Sequence, residues 1–105
     1  MTIFDVLVEP HRRQILDTLR HGERAAGELV ELLDISQPTV SQHLKALRAA
    51  GLVATRADAN RRFYCLRPEP LLELEAWLAP FREIWADRLD ALELHLDTTS
   101  AGDDQ

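Results

Sequence analysis

The segment from Ser36 to Gly51 is predicted to be a single helix, because both of its ends carry recognisable signals. Ser36 can accept a hydrogen bond from a backbone N–H of the first turn, and Pro38 loses no hydrogen bond at its position. Gly51 can adopt the left-handed conformation that ends a helix. A narrow apolar stripe is formed by residues spaced four and then three apart, namely Val40, Leu44 and Leu47.

The opposite face of this helix carries short or planar hydrogen-bonding side chains and no acidic side chain. From the start of the helix onward they are Ser36, Gln37, Thr39, Ser41, Gln42 and Lys45. Such side chains can bind base edges and phosphates in a major groove of DNA. A helix that faces only solvent usually mixes glutamate with lysine, as the rest of this chain does. We therefore interpret the segment as a DNA-recognition helix.

Three residues of this helix are expected to have different roles. Gln42 is the best candidate for reading a base, because its amide can pair with adenine through two hydrogen bonds. Lys45 is expected to bind a phosphate, which positions the protein without specifying a sequence. His43 lies beside the apolar stripe, and we interpret it as a structural, partly buried residue.

The net charge of −6 is unevenly distributed along the chain. Residues 1–35 carry −3 and residues 68–105 carry −8, whereas residues 36–67 carry +5. A local basic surface on an acidic body is sufficient for phosphate binding. The overall acidity therefore does not exclude a nucleic-acid partner.

The composition, with 46% apolar and 29% charged residues, is ordinary for one globular domain. No apolar run approaches the roughly 20 residues that a membrane helix needs, and the N-terminus lacks the pattern of a signal peptide. Cys65 is the only cysteine, so an internal disulfide is excluded. We expect a cytoplasmic protein without a membrane partner.

Three shorter helices are predicted before the recognition helix. Thr2 and Asp5 form a small capping box at the start of the first helix, and Pro10 begins the second. The third helix covers about Ala26–Leu33, and Asp34-Ile35 forms a tight turn into the recognition helix. Two helices joined by such a turn form a helix-turn-helix.

A β-hairpin is predicted after the recognition helix, because the sequence changes to short segments rich in β-branched and aromatic residues. The strands are Leu52–Arg56 and Arg62–Leu66, and Asp58–Asn60 forms the turn. Three arginines cluster around the tip of this hairpin, namely Arg56, Arg61 and Arg62. A basic hairpin in this position is typical of a wing that contacts the DNA backbone or the minor groove.

A long amphipathic helix is predicted from Pro70 to about Asp97. Pro80 lies inside it, so we expect a kink or a break near Ala79. The apolar stripe is too long for one small domain to cover, and a second copy of the chain is the most economical partner. The polar tail Thr98–Gln105 is expected to be frayed.

Three segments carry a resemblance to a known family. They are Pro10–Leu16 (PHRRQIL), Ile35–Leu47 (ISQPTVSQHLKAL) and Ala50–Val53 (AGLV). Over roughly residues 3–97 the chain resembles the ArsR-type (ArsR/SmtB) family of dimeric winged-helix repressors. The resemblance implies a mainly α winged helix-turn-helix with a small β-hairpin. It also implies a homodimer on a palindromic operator in double-stranded DNA, with half-sites about 34–36 Å apart.

The resemblance also implies that the dimer packs through its first and last helices. The interface is expected to include Phe4, Leu7, Leu74, Leu78, Phe81, Trp85, Leu89 and Leu92. Residues 1–97 would then form one DNA-binding and dimerisation domain. The expected function is repression, because occupied promoter DNA is closed to polymerase, and the regulated operon can be the repressor's own.

Classical members of this family release DNA on binding a metal or metalloid, and the sequence departs from them. The last predicted helix contains Asp87, but His95 is its only histidine. This leaves too few donors for a tetrahedral zinc site. The thiolate positions of the family fall on residues that cannot be ligands, namely Ala25, Gly27 and Val30. We therefore predict no metal site and no cofactor, as in the metal-less branch of the family.

Other chemically suggestive residues have simpler structural explanations. Cys65 lies on a predicted strand and is expected to be an inert apolar residue. Asp17 is expected to pair with His21 near the end of the second helix. Core and dimer packing is the expected role of the large aromatic residues Trp77, Phe81 and Trp85.

The sequence contains no catalytic motif, because it lacks a nucleophile paired with a base, a phosphate-binding glycine loop and a close carboxylate pair. An enzyme is not expected. Two alternatives to a metal-independent repressor remain open at this stage. One is a metal- or thiol-responsive repressor of the same fold, and the other is a winged-helix module that contacts another protein. The basic charge of residues 36–67 counts against the second alternative.

Overall fold

A computed structural model describes the backbone of residues 2–103 and the side chains of residues 2–93. The contacts divide the chain into two compact units, of which the first ends at Leu74 and the second begins at Glu75. In chain order the elements are α1 (Ile3–Leu7), α2 (Pro10–Leu19), β1 (Arg24–Ala25), α3 (Ala26–Leu33), α4 (Gln37–Ala49), β2 (Val53–Asp58), β3 (Arg61–Leu66) and α5 (Leu71–Asp103). Within residues 2–103, no helix combines the length and the apolar character that a membrane span requires.

The starts of α1 and α2 are set by side chains that cap them. The Asp5 carboxylate accepts a hydrogen bond from the Thr2 N–H at 2.8 Å, and the Thr2 hydroxyl accepts one from the Asp5 N–H at 3.3 Å. These contacts form the predicted capping box of α1. At the start of α2, the Glu9 carboxylate accepts a hydrogen bond from the His11 N–H at 3.3 Å, and Pro10 occupies the first turn. Both helix starts are therefore confirmed.

The helix-turn-helix consists of α3, a short turn and α4. Asp34 ends α3 in the left-handed conformation, with φ of 54° and ψ of 45°. The Ser36 hydroxyl then accepts a hydrogen bond from the Thr39 N–H at 3.3 Å and caps α4. Gly51 follows α4 with a φ of 77°, which only glycine adopts without steric cost. The predicted boundaries of α3 and α4 are confirmed.

The buried core lies in the first unit and centres on the apolar stripe of α4. Val40, Leu44 and Leu47 are at most 2% exposed, and α4 packs against α2, α3 and β2. Fully burying a side chain of this size contributes about 1.5–3 kcal/mol. The remaining core side chains are Ile3, Val6, Ile15, Leu16, Leu19, Leu29, Leu52 and Val53.

The predicted hairpin is present, and it gains a third strand that was not predicted. β2 and β3 pair in antiparallel fashion from Val53 opposite Leu66 to Asp58 opposite Arg61. β1 pairs with the other edge of β3, so the strand order is β1-β3-β2. β1 consists only of Arg24–Ala25. Two residues are too few for the alternation of apolar and polar side chains that identifies a strand in a sequence.

The last helix, α5, continues through Pro80, so of the kink or break predicted near Ala79 the break is wrong. A proline removes one N–H from the hydrogen-bonding pattern, but the turns before and after it keep theirs. An ion pair between Glu75 and Arg82 also spans the proline. Its effect appears in the pKa of Glu75, which the hydrogen bond from Arg82 holds below its ordinary value.

The backbone of α5 continues past the predicted boundary at Asp97 and reaches Asp103. Extending an existing helix fixes one residue for each hydrogen bond gained, which is easier than starting a new helix. The polar residues that suggested a frayed tail are therefore helical as far as Asp103. The side chains of His95 and Leu96 lie outside the described residues, as do positions 104 and 105.

Asp17 pairs with Arg20 at 2.9 Å, which corrects the predicted pairing with His21. The reason is that α2 ends at Leu19. His21 lies beyond the helix and no longer shares the face on which residues four apart are neighbours.

The burial of α4 makes a prediction about stability. Leu44→Ala should lower the free energy of unfolding by about 2–5 kcal/mol, because it removes a side chain that is 2% exposed and leaves a cavity. Leu32→Ala is the matched control, since Leu32 is 60% exposed and its truncation should change stability by less than about 0.5 kcal/mol. Urea unfolding followed by circular dichroism measures both. Equal losses would contradict the packing of α4.

Candidate nucleic-acid interface

The solvent-facing side of α4 presents the four side chains Gln37, Ser41, Gln42 and Lys45, all of which are exposed. Gln37, Ser41 and Lys45 are spaced four apart, so they form a row along the helix. No acidic residue occurs anywhere in α4. This row combines amide, hydroxyl and ammonium groups, which are the groups that bind base edges and phosphates.

Ser36 and Thr39, which were predicted to contact DNA, are both engaged in the cap of α4. Their hydroxyl oxygens lie 2.7 Å apart, and the Ser36 hydroxyl also accepts the Thr39 N–H. Thr39 is half-buried and Ser36 is exposed. Their observed role is to set the start of α4 and thereby the position of Gln37.

His43 fastens the middle of α4 to the start of α2. Arg12 Nε donates a hydrogen bond to His43 Nδ1 at 3.3 Å, and Arg12 Nη1 donates one to the Val6 carbonyl at 3.4 Å. One guanidinium therefore ties α1, α2 and α4 together. Burial is the main cause that holds the pKa of His43 below its ordinary value, and the charge of Arg12 adds to it. His43 is half-buried, as predicted.

A group of potential metal ligands surrounds this contact, and sequence reasoning missed it. Glu9, His11 and His43 are half-buried, and each offers a ligand atom within 4.8 Å of the others. His11 Nδ1 lies 3.5 Å from Glu9 Oε1, and the two imidazole rings have centroids 5.7 Å apart. The pair Glu9 and His11 is visible in the sequence, but His43 lies on another helix and no local pattern links it to them.

The three arginines of the wing do not form one cluster. Residues paired across strands lie on the same face of a sheet, and Arg56 pairs with Phe63. Arg61 is two residues from Phe63 and shares that face. Both guanidinium groups lie over the Phe63 ring, at 5.0 Å for Arg56 and 4.9 Å for Arg61. Arg62 is exposed and alternates to the opposite face of the hairpin.

Acidic side chains from the preceding segment lie beside this face of the wing. The Glu23 carboxylate accepts two hydrogen bonds from Arg56, one of them from Arg56 Nε at 3.1 Å. Arg61 Nη2 lies 3.9 Å from the carboxylate of Glu28. The hydrogen bond from Arg56 holds the pKa of Glu23 below its ordinary value. The positive charge predicted for residues 36–67 is therefore partly neutralised by Glu23 and Glu28, which precede this segment in the chain.

Cys65 is half-buried on β3, and its thiol donates a weak hydrogen bond to the Ala54 carbonyl at a distance of 3.5 Å. The thiol thus lies within the sheet, against the neighbouring strand. This location agrees with a packing role for the side chain.

The residues predicted to form a dimer interface occur in both units. In the first unit, Leu7 lines an apolar groove of about 320 Å³ together with Leu16, Leu66 and Leu71. In the second unit, large apolar side chains are 40–63% exposed, namely Phe81, Trp85, Leu89 and Leu92. Phe4 is 40% exposed, whereas Leu74 and Leu78 are half-buried.

Comparison with known proteins agrees with this architecture. Residues 9–55 match the arsR family of bacterial regulatory proteins. The chain is 41% identical over 101 residues to the HTH-type transcriptional regulator Rv2034 of Mycobacterium tuberculosis, covering 96% of this chain and 90% of that protein. It is 44% identical over 80 residues to the biofilm growth-associated repressor of Agrobacterium fabrum, covering 75% and 68% of the two chains.

Solved structures extend the similarity to three dimensions. The crystal structure of an ArsR family transcriptional regulator, RHA00566, superposes with a TM-score of 0.68 at 32% identity. The similarity covers 80% of this chain and 87% of that one. The helix-turn-helix, the wing and these similarities together show that the chain belongs to the arsR family of bacterial transcriptional regulators, whose members bind DNA.

Proposed function

We propose that the protein is a transcriptional repressor that binds a palindromic operator as a homodimer, with α4 of each subunit in a major groove. The main support for this proposal is the exposed row of α4, which is polar and free of acidic residues. The buried apolar stripe on the other side of the helix fixes its orientation. Repression would follow because occupied promoter DNA is closed to polymerase. The operator of the protein's own gene is the first one to test.

Within α4, the chemistry of each side chain supports a different contact. Gln42 has the amide geometry that pairs with adenine in the major groove. Lys45 carries a compact positive charge suited to a phosphate, and Gln37 and Ser41 can donate to phosphates or base edges. Because the hydroxyls of Ser36 and Thr39 are engaged in the cap of α4, we propose that both mainly position the helix and contact DNA only secondarily.

The arginines on the two faces of the wing would contact DNA differently. Arg62 is exposed on one face and can reach a phosphate directly. Arg56 and Arg61 are paired with acids in the free protein, so they would exchange a carboxylate for a phosphate on binding. Phosphate contacts of this kind position the protein without reading sequence.

Dimerisation is supported by the apolar surface that a single chain leaves exposed. Trp85 is 48% exposed and Leu89 is 63% exposed, and they lie one turn apart on α5. Neighbouring exposed apolar side chains of this kind mark interaction surfaces. The groove beside Leu7 offers a second apolar surface in the first unit. We propose that residues 1–97 act as one DNA-binding and dimerisation domain whose interface uses these residues together with Phe4, Leu74, Leu78, Phe81 and Leu92.

The proposed repression does not depend on the metal positions of classical family members. These positions supply no ligand, because Ala25 in β1 and Gly27 and Val30 in α3 have no side-chain nitrogen, oxygen or sulfur atom. The metal-responsive alternative at those positions is therefore not favoured. No catalytic activity is proposed.

The proposal is tested by fluorescence anisotropy with DNA from upstream of the protein's own gene and with a scrambled duplex, over a series of salt concentrations. Gln42→Ala should reduce the preference for the specific duplex by about 1–3 kcal/mol. Lys45→Ala should weaken binding to both duplexes and lower the salt slope by about one unit. Wild-type protein that shows no preference over scrambled DNA, with any upstream fragment, would contradict the proposal.

Removing the acid beside Arg56 should strengthen DNA binding. Glu23→Gln eliminates a negative charge next to the wing and frees the guanidinium, so affinity for both duplexes should rise several-fold at low salt and less at high salt. Glu73→Gln removes the same charge from an exposed position in the first turn of α5 and serves as the control. Equal effects of the two variants would argue against a DNA contact by Arg56.

Trp85→Ala should weaken the dimer. A buried tryptophan at the centre of an interface contributes at least about 2 kcal/mol, which raises the dissociation constant roughly 30-fold. Analytical ultracentrifugation over a concentration series measures this change. Glu83→Ala, on the opposite face of α5, is the control and should leave the constant unchanged. A Trp85→Ala dimer as tight as the wild type would exclude Trp85 from the interface.

A further inference from the structure

Three side chains with metal-binding chemistry meet at the junction of α2 and α4. Glu9 caps the start of α2, His11 lies in its first turn, and His43 projects from the middle of α4. Their ligand atoms lie within 4.8 Å of one another, and all three residues are half-buried. Two imidazoles and one carboxylate on two different helices are thus brought together by the packing of the first unit.

We propose that Glu9, His11 and His43 form a binding site for one divalent transition-metal ion of the zinc type. Two histidines and a glutamate are a known ligand set for Zn²⁺ when water occupies the fourth position. Ligand bonds of about 2.0–2.2 Å place the donor atoms of a tetrahedral site about 3.3–3.6 Å apart. His11 Nδ1 and Glu9 Oε1 are already 3.5 Å apart, so side-chain rotation is needed chiefly to bring His43 closer.

Metal binding and the Arg12–His43 hydrogen bond exclude each other. A neutral imidazole has one nitrogen that can accept and one that carries a proton. In the structure the accepting atom is Nδ1, which receives the hydrogen bond from Arg12 Nε. A metal at Nδ1 displaces Arg12 directly, and a metal at Nε2 moves the proton to Nδ1, which then cannot accept. In either case the guanidinium must leave His43.

The proposed ion therefore replaces one link between α2 and α4 with another. Arg12 retains its hydrogen bond to the Val6 carbonyl, so it can move away from His43 without losing every partner. Its positive charge lies near the site and weakens metal binding by repulsion. The site is therefore expected to bind more tightly when this charge is removed.

The test uses Co²⁺ as the spectroscopic probe and the full-length chain. Titration should give the visible absorption of a tetrahedral Co²⁺ ion at one equivalent per chain, and added Zn²⁺ should remove it. Glu9→Gln and His11→Ala should each weaken Co²⁺ binding at least tenfold. Arg12→Gln should tighten it several-fold. Circular dichroism of each variant shows whether it is folded, and Glu9→Gln keeps an oxygen that can cap α2.

The control variants are His21→Ala and His95→Ala, which remove the two histidines of the chain that are outside the proposed site. Both should bind Co²⁺ as the wild type does. No binding by the wild type, binding that is unaffected by Glu9→Gln and His11→Ala, or a thiolate-to-cobalt absorption band from Cys65 would overturn the site. An unchanged affinity in Arg12→Gln would overturn the exclusion between the metal and the hydrogen bond. None of these outcomes depends on DNA binding.

Discussion

Burial of one apolar stripe decides which way α4 faces. Val40, Leu44 and Leu47 are almost inaccessible to solvent, and rotating the helix about its axis would expose them at a cost of about 1.5–3 kcal/mol for each side chain. The polar row on the opposite side is thereby exposed to solvent. The hydrogen bond between Arg12 and His43 then fastens the middle of the helix to α2. Hydrophobic packing therefore creates the surface that we propose for DNA.

Electrostatics modifies this surface rather than creating it. The chain has a net charge of −6, and its acidic groups are not confined to the segments far from the wing. Glu23 and Glu28 lie beside Arg56 and Arg61 and offset part of their charge in the free protein. In the proposed complex a phosphate would replace either carboxylate, so the two arginines would still be available to DNA although the free wing would attract it less strongly. Salt and charge substitutions should thus tune affinity without altering the fold.

The sequence was most informative about structural features that depend on residues close together in the chain. The caps at Thr2 and Ser36 and the stop at Gly51 each involve residues within about three positions, and all are present. The family was recognisable because the sequence motifs that resemble it are concentrated in the helix-turn-helix. The break predicted as one alternative at Pro80 is absent, because proline removes only one N–H from the hydrogen bonds of the helix. The flanking turns, and an ion pair that spans two of them, preserve the helix.

The sequence by itself determined the starts of α1 and α2, the bounds of α3 and α4, the apolar stripe of α4 and the membership of the arsR family, because each depends on consecutive or regularly spaced residues. Only the tertiary structure decided the pairing of β1, the contact of Arg56 with Glu23 and the approach of His43 to Glu9 and His11. The contact of Arg56 with Glu23 spans 33 positions and that of Arg12 with His43 spans 31. Side chains so far apart in the chain meet only after the helices pack, and no local spacing records which of them will be neighbours.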